Sequence, residues 1–156
     1  MTTLRGRAHI KIDPKGRLSF PTTFRKALGS SVEVCITNNL YKGHRFLDLY
    51  TQNEWKKLEQ NISRMPRLKS EVQAFQRFYL SGGELCTLDS QGRVLVPQHL
   101  REYASLEQDI VLVGMGHKIE IWNDKAWSVL CSQLEKDYEK VIEVIAGLDN
   151  KKVEKK

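Results

Sequence analysis

Apolar residues alternate with polar ones over short stretches of this chain: Ile10 and Ile12; Val32, Val34 and Ile36; Leu47 and Leu49; Ile110 and Leu112; Ile119 and Ile121. Successive side chains of a strand point to opposite faces, so a period of two predicts half-buried β-strands. Elsewhere the spacing changes to three and four. Thr51-Gln-Asn-Glu54 is a capping box in front of Trp55, Leu58 and Ile62, which share one helical face. "SEVQAFQRFYLSGG" opens with Ser70 and Gln73 in the same relation, carries Val72, Phe75 and Tyr79 at helical spacing, and stops at Gly82 and Gly83. A third helix is predicted over about 124–145, with Trp127, Leu130, Leu134, Val141 and Ile145 apolar. "SRMPRLK" (63–69) reads as a linker, and the lysine-rich "GLDNKKVEKK" is expected to fray.

These elements come in two copies. "DPKGRLSFPTTFRKALG" begins at Asp13, and "DSQGRVLVPQHLREYAS" begins at Asp89, an offset of 76. Asp13/Asp89, Gly16/Gly92, Arg17/Arg93, Pro21/Pro97 and Arg25/Arg101 recur in register. "VEVCIT" aligns with "QDIVLV" at the same offset, and "LDLYTQNEW" aligns with "IEIWNDKAW" at an offset of 72. The four-residue difference falls on "NNLYKGHR" against "GMGH", which are loop-like in composition. The pattern predicts a mainly β, α+β protein. Its first β domain spans 7–54, linking helices 55–82, a second β domain 83–126, and a C-terminal helix with a polar tail 127–156. Units this small bury too little surface to be comfortable alone, so the halves are expected to pack on each other or to exchange strands within or between chains.

Charge changes the picture. The chain of 156 residues carries a net +6. Residues 1–29 hold Arg5, Arg7, Lys11, Lys15, Arg17, Arg25 and Lys26 against Asp13 alone, which accounts for the whole excess. Such a cluster suits a polyanion, although a solvated basic face is the plainer use of it. No apolar run approaches the roughly 20 residues that cross a bilayer, and no signal peptide is read at the start, so a cytoplasmic protein without a membrane partner is expected. Cys35, Cys86 and Cys131 are far apart and form no Cys-x-x-Cys, so they are expected to be reduced packing residues.

Turn chemistry accounts for part of the repeated motif. A type I turn favours Asp first, Pro second and Gly fourth, so Asp13, Asp89, Gly16 and Gly92 have structural explanations. It does not require the arginine that follows each time. Lys15 and Arg17 lie two apart and would project to one face, and Arg5, Arg7 and Lys11 on the incoming strand share their odd parity. A two-stranded β-ribbon can enter the major groove of DNA with arginines on guanine edges and phosphates. The other use of Arg17 is an ion pair with Asp13, and the two are compatible, because a carboxylate can hold the guanidinium in place. Arg25 and Arg101, behind the prolines, either contact a polyanion or pair with acidic neighbours such as Glu102.

With both motifs in view the chain resembles the MraZ family, two-repeat transcriptional regulators of the SpoVT–AbrB superfamily. "DPKGRLSFPTTFRKAL", "DSQGRVLVPQHLREYASLEQDIVLVG", "IEIW" and the "EW" after the first repeat carry the resemblance, over about residues 5–130. It implies two pseudo-symmetric swapped-hairpin β domains with linking and C-terminal helices, assembled into rings. It also implies a nucleoid-associated bacterial protein that binds double-stranded DNA at the promoter of its own cell-division and cell-wall operon. On this sequence the face that would read short, directly repeated G-rich boxes is Asp13 with Arg17 and Asp89 with Arg93. The copies differ in charge: Gln91 and Glu102 stand where the first has Lys15 and Lys26. The first copy is therefore expected to supply most phosphate affinity, with Arg93 a secondary contact or a structural arginine.

Other classes fit less well. His9, His44, His99 and His117 are scattered, no nucleophile elbow, zinc-protease or phosphate-loop motif occurs, and "GMGH" is too weak for a nucleotide site. No catalysis, cofactor, metal or small-molecule substrate is expected. An antitoxin-like interaction module that also binds DNA is the main alternative, although short antitoxins carry one copy of the motif and this chain carries two. Tyr41, Phe46, Trp55, Phe75, Phe78, Trp122 and Trp127 fall in apolar patterns and do not interleave with the basic cluster as an RNA-stacking platform would.

Overall fold

The alternating segments do form strands. In a computed structural model, which describes residues 3–154 and the side chains of residues 3–150, the order is β1 (Arg7–Lys11), β2 (Arg17–Ser19), α1 (Thr22–Leu28), β3 (Glu33–Tyr41) and β4 (His44–Thr51). α2 (Gln52–Ser63) and α3 (Ser70–Phe75) come next, and α3 continues as a π-helical turn over Gln76–Leu80. The second copy repeats the first with β5 (Glu84–Thr87), β6 (Arg93–Leu95), α4 (Gln98–Tyr103), β7 (Asp109–Gly114) and β8 (Ile119–Asn123), and α5 (Asp124–Glu154) follows. One compact unit ends at Asp124 and a second begins at Lys125. α5 makes up the described part of the second unit and is helical as far as Glu154, within the segment whose composition predicts fraying.

The first unit is built by exchange between the copies. Its six-stranded antiparallel sheet runs β1-β7-β8-β4-β3-β5, and a separate ribbon pairs β2 with β6. Each copy's first strand therefore lies on the other copy's side: β1 pairs with β7 (Ile10 opposite Ile110), and β5 pairs with β3 (Cys86 opposite Val34). The centre of the sheet is the β4–β8 pairing, where the repeat-equivalent residues Asp48 and Glu120 face each other. A pseudo-twofold axis passes through that pair and through the centre of the ribbon, where Leu18 faces Val94.

The core obeys the same symmetry. Leu18 and Val94, Phe24 and Leu100, Val34 and Ile110, Ile36 and Leu112, Leu47 and Ile119, and Leu49 and Ile121 are equivalent pairs in one buried cluster. Their alternation matches the period read from the sequence, except that Val32 precedes β3 and is 59% exposed. Burying a side chain of this kind contributes roughly 1.5–3 kcal/mol, so removing water from this face of the sheet is the main reason the copies fold as one body.

The opposite face is partly polar. Asp48 is fully buried, and its Oδ2 accepts from Asn39 Nδ2 at 2.7 Å, from Lys118 Nζ at 2.9 Å and from the Tyr79 hydroxyl. Lys118 Nζ also reaches Glu120 Oε2 at 3.2 Å, and Trp122 Nε1 donates to Glu120 Oε1 at 2.9 Å. Tyr50 and Tyr79 share a hydroxyl contact of 2.6 Å. Two carboxylates meet on the pseudo-axis here, and one ammonium stands between them.

Three local expectations need correction. "NNLYKGHR" is not a loop: β3 and β4 stay paired from Asn38↔Leu47 out to Tyr41↔His44. Only Lys42 (φ 50°) and Gly43 (φ 81°) turn, in the left-handed pair that a tight hairpin requires. Ser70 does not cap its helix, because Lys69 is the N-cap and makes no side-chain bond there, while Gln73 Nε2 reaches back to the Arg67 carbonyl at 3.3 Å. Arg5 is not on the incoming strand: Gly6 (φ 89°) breaks the chain's parity before β1 begins at Arg7. The Thr51 cap does form, accepting from Glu54 N at 3.3 Å.

Candidate nucleic-acid interface

The two aspartate turns are duplicates at atomic level. Asp13 Oδ1 accepts from Lys15 N (3.0 Å) and Arg17 N (2.8 Å), and its Oδ2 accepts from Arg17 Nε at 2.7 Å. Asp89 Oδ1 accepts from Gln91 N and Arg93 N, both at 2.9 Å, and its Oδ2 accepts from Arg93 Nε at 2.8 Å. Each aspartate therefore caps its turn and clamps the arginine four residues on. The backbone and side-chain bonds from that arginine hold each carboxyl below its ordinary pKa of 3.8. In both turns the clamp uses Nε, and the two terminal nitrogens of a guanidinium form a fork of the kind that can dock on a phosphate or a guanine edge.

The ribbon brings the two arginines together. Arg17 lies opposite Leu95, and Ser19 lies opposite Arg93. Leu18 and Val94, between them, point into the core and are fully buried. Arg17, Ser19, Arg93 and Leu95 therefore share the outward face, and the arginines are diagonal neighbours, positions typically about 7–8 Å apart and within reach of long side chains. Their side chains are 32% and 29% exposed. A sequence reading confined to each copy cannot find this juxtaposition, because it depends on the pairing of β2 with β6.

The arginines behind the prolines cross over. Arg101, from the second copy, lies against Gly16 of the first turn: a Cβ added at Gly16 would meet its Cζ at 2.4 Å. Arg25, from the first copy, lies in the same way against Gly92, where an added Cβ would meet its Nε at 2.9 Å. Arg101 Nε donates to the Val96 carbonyl at 2.9 Å, and Arg25 Nη2 reaches the Phe20 and Gln91 carbonyls at 3.3 and 3.4 Å. These contacts are with backbone oxygens, not with the acidic neighbours considered from the sequence. The two turns and the ribbon thus gather Lys15, Arg17, Arg25, Arg93 and Arg101 around Asp13 and Asp89.

Arg5 and Arg7 lie farther from the turns. Arg7, His9 and Lys11 do share the exposed face of β1, as their parity predicts. At about 3.3 Å per residue, however, a strand places Arg7 roughly 20 Å from Asp13, and Arg5 lies beyond Gly6. Among the described residues no three His, Cys, Asp or Glu side chains come together as a metal site, and no helix is long and apolar enough to cross a membrane. Cys35 and Cys86 are buried, and burial pushes their thiols up to about 12 and about 11.

Comparison with known proteins agrees with the duplication. The family model described as "MraZ protein, putative antitoxin-like" matches twice, over residues 3–78 and 79–144. The chain is 41% identical over 138 residues to a protein of Heliobacterium modesticaldum named Transcriptional regulator MraZ, covering 88% of this chain and 93% of that one. Proteins of the same name from Natranaerobius thermophilus and Moorella thermoacetica are 38% identical over 148 and 144 residues, each match covering 92% of this chain and 97% of the relative.

Proposed function

We propose that this chain, which belongs to the MraZ family, is a DNA-binding transcriptional regulator. In this reading it acts in the cytoplasm on the nucleoid, binding the promoter of its own operon as an oligomer, in a ring. Short repeated boxes are read by the outward face of the β2–β6 ribbon. The observation that carries the reading is the placement of Arg17 and Arg93 on one face, each with Nε engaged by its own aspartate. A pre-oriented fork loses less rotational freedom on docking than a free side chain, so the clamp favours directional contacts over loose charge attraction. Lys15 adds a phosphate contact at the first turn, where the second turn has Gln91. The relatives' printed name supports the regulatory role, and the clustered basic side chains support a polyanionic ligand.

The test is a titration of fluorescent duplexes, one of them the gene's own upstream DNA, at several salt concentrations. Upstream DNA should bind more tightly than random duplex, and affinity should fall steeply with salt because counterions leave the phosphates. Arg17→Ala should abolish the preference. Equal binding of upstream and random DNA would overturn the promoter reading.

A further inference from the structure

Leu95 stands apart from the other outward residues of the ribbon. It is 53% exposed, whereas its neighbours in the chain, Val94 and Val96, are fully buried. Its position in the second copy is that of Ser19 in the first, at the repeat offset of 76. The β2–β6 pairing sets Leu95 directly opposite Arg17 and Ser19 directly opposite Arg93. The pseudo-symmetric face thus carries an apolar side chain at one end and a hydroxyl at the other, each beside an arginine clamped by its own aspartate. The fold does not ask for a leucine there, since the first copy meets the same strand position with a serine. Apolar surface left in water among guanidinium groups gains free energy only when something apolar covers it.

The groove that such a ribbon enters offers one apolar group. Guanine presents O6 and N7 to an arginine, and of the four unmodified bases only thymine presents a methyl group, at C5. Directly opposed side chains in a sheet are about 4.5–5.5 Å apart at Cβ, and base pairs stack about 3.4 Å apart. A residue opposite a guanine-reading arginine therefore reaches the neighbouring base pair. We propose that Leu95 is a specificity residue that covers the 5-methyl group of a thymine next to the guanine read by Arg17. Ser19 has a hydroxyl at the corresponding place beside Arg93 and does not select the methyl, so the thymine preference lies on the Arg17 side of the ribbon only. The inference rests on the DNA-reading role proposed above for the ribbon and adds a base to it.

The test replaces the thymines of the upstream duplex one at a time by deoxyuridine, which lacks only the methyl group, and measures binding of the full chain by anisotropy at one fixed salt concentration. At a thymine read by Leu95 the native chain should bind the uracil duplex about three- to fivefold more weakly, the worth of one buried methyl group. Leu95→Ala should bind the thymine duplex more weakly and lose that difference, and Leu95→Met should keep it. Using the same pair of duplexes for every variant cancels the effect of the methyl group on the free DNA. Near-UV circular dichroism should report the packing of the first unit as intact in both variants. A native chain that binds every uracil duplex as tightly as its thymine parent overturns the assignment. A thymine preference that survives in Leu95→Ala also overturns it, and would leave the leucine as a support for the Arg17 stem. The two levels of the reading separate cleanly: equal binding of upstream and random duplex removes the ribbon's role itself, whereas upstream preference without a uracil effect removes only that of Leu95.

Discussion

Arg101 lies against Gly16, so an arginine from one repeat packs on the turn of the other. The glycine is needed twice over. Its φ of 90° is one that L side chains rarely adopt, and a methyl there would strike the guanidinium. Gly16→Ala should therefore lower stability to urea by about 1–3 kcal/mol, the usual cost of a residue held in a left-handed conformation. Part of that loss is steric, so adding Arg101→Ala should cost less in Gly16→Ala than in the native chain. A double-mutant cycle measures the coupling, and additive values would show that the contact carries no energy.

What could be read in advance divides along local and non-local lines. The buried face of every central strand was visible as alternation, since Val34, Ile36, Leu47, Leu49, Ile110 and Leu112 have a period that belongs to one strand at a time. The Asp13–Arg17 pair was accessible for the same reason, because its partners are four residues apart. The crossing of Arg25 and Arg101, the diagonal of Arg17 and Arg93, and the meeting of Asp48 with Glu120 depend on which strand pairs with which. Nothing in the period of β1 states that it will lie on β7. A count of charge along the first 29 residues groups Arg25 with the first copy's cations, whereas it packs on the turn of the second.

The turns should tolerate acid. Asp13 and Asp89 have folded pKa values below the ordinary 3.8, first through the backbone bonds from Arg17 and Arg93. A depressed carboxylate contributes stability that is present above its unfolded pKa and is lost as pH falls through the folded one. Carboxyl-carbon chemical shifts should show both aspartates more than half ionised at pH 3.8, where an exposed reference aspartate is half protonated. Arg17→Ala should move Asp13 back toward 3.8 without moving Asp89.

Lys118 bridges two carboxylates across the pseudo-axis, with Nζ at 2.9 Å from Asp48 and 3.2 Å from Glu120. Lys118→Met would leave Asp48 and Glu120 opposite each other without the ammonium and should cost about 3–5 kcal/mol. Adding Asp48→Asn and Glu120→Gln should recover much of it, because the buried charges go as well. Burial by itself would lower the Lys118 pKa, but attraction to Asp48 and then Glu120 carries it above 10.5. A raised lysine contributes stability that is full below 10.5 and is lost as pH rises through the folded value. Denaturation midpoints measured from pH 7 to 12 should therefore show this contribution intact to about 10.5 and falling above it.

Arg17 and Arg93 occupy equivalent positions, but their turns differ by one cation. The crossed arginines give each turn one guanidinium from the other copy, and within the turns themselves the difference is Lys15 at the first against Gln91 at the second. Arg17→Ala should therefore weaken binding to upstream DNA more than Arg93→Ala does, and equal losses would remove the asymmetry. Arg17→Lys separates charge from geometry. A lysine keeps the attraction to phosphate, so affinity for random duplex should change only a few-fold. It has no fork to present once the Asp13 clamp is made, and loss of a bidentate base contact costs about 1–3 kcal/mol of discrimination. The ratio of upstream to random affinity should drop by about fivefold to 150-fold, measured by anisotropy at one fixed salt concentration. A lysine variant with undiminished discrimination would mean that Arg17 serves as a charge only, and that base reading lies elsewhere on the ribbon.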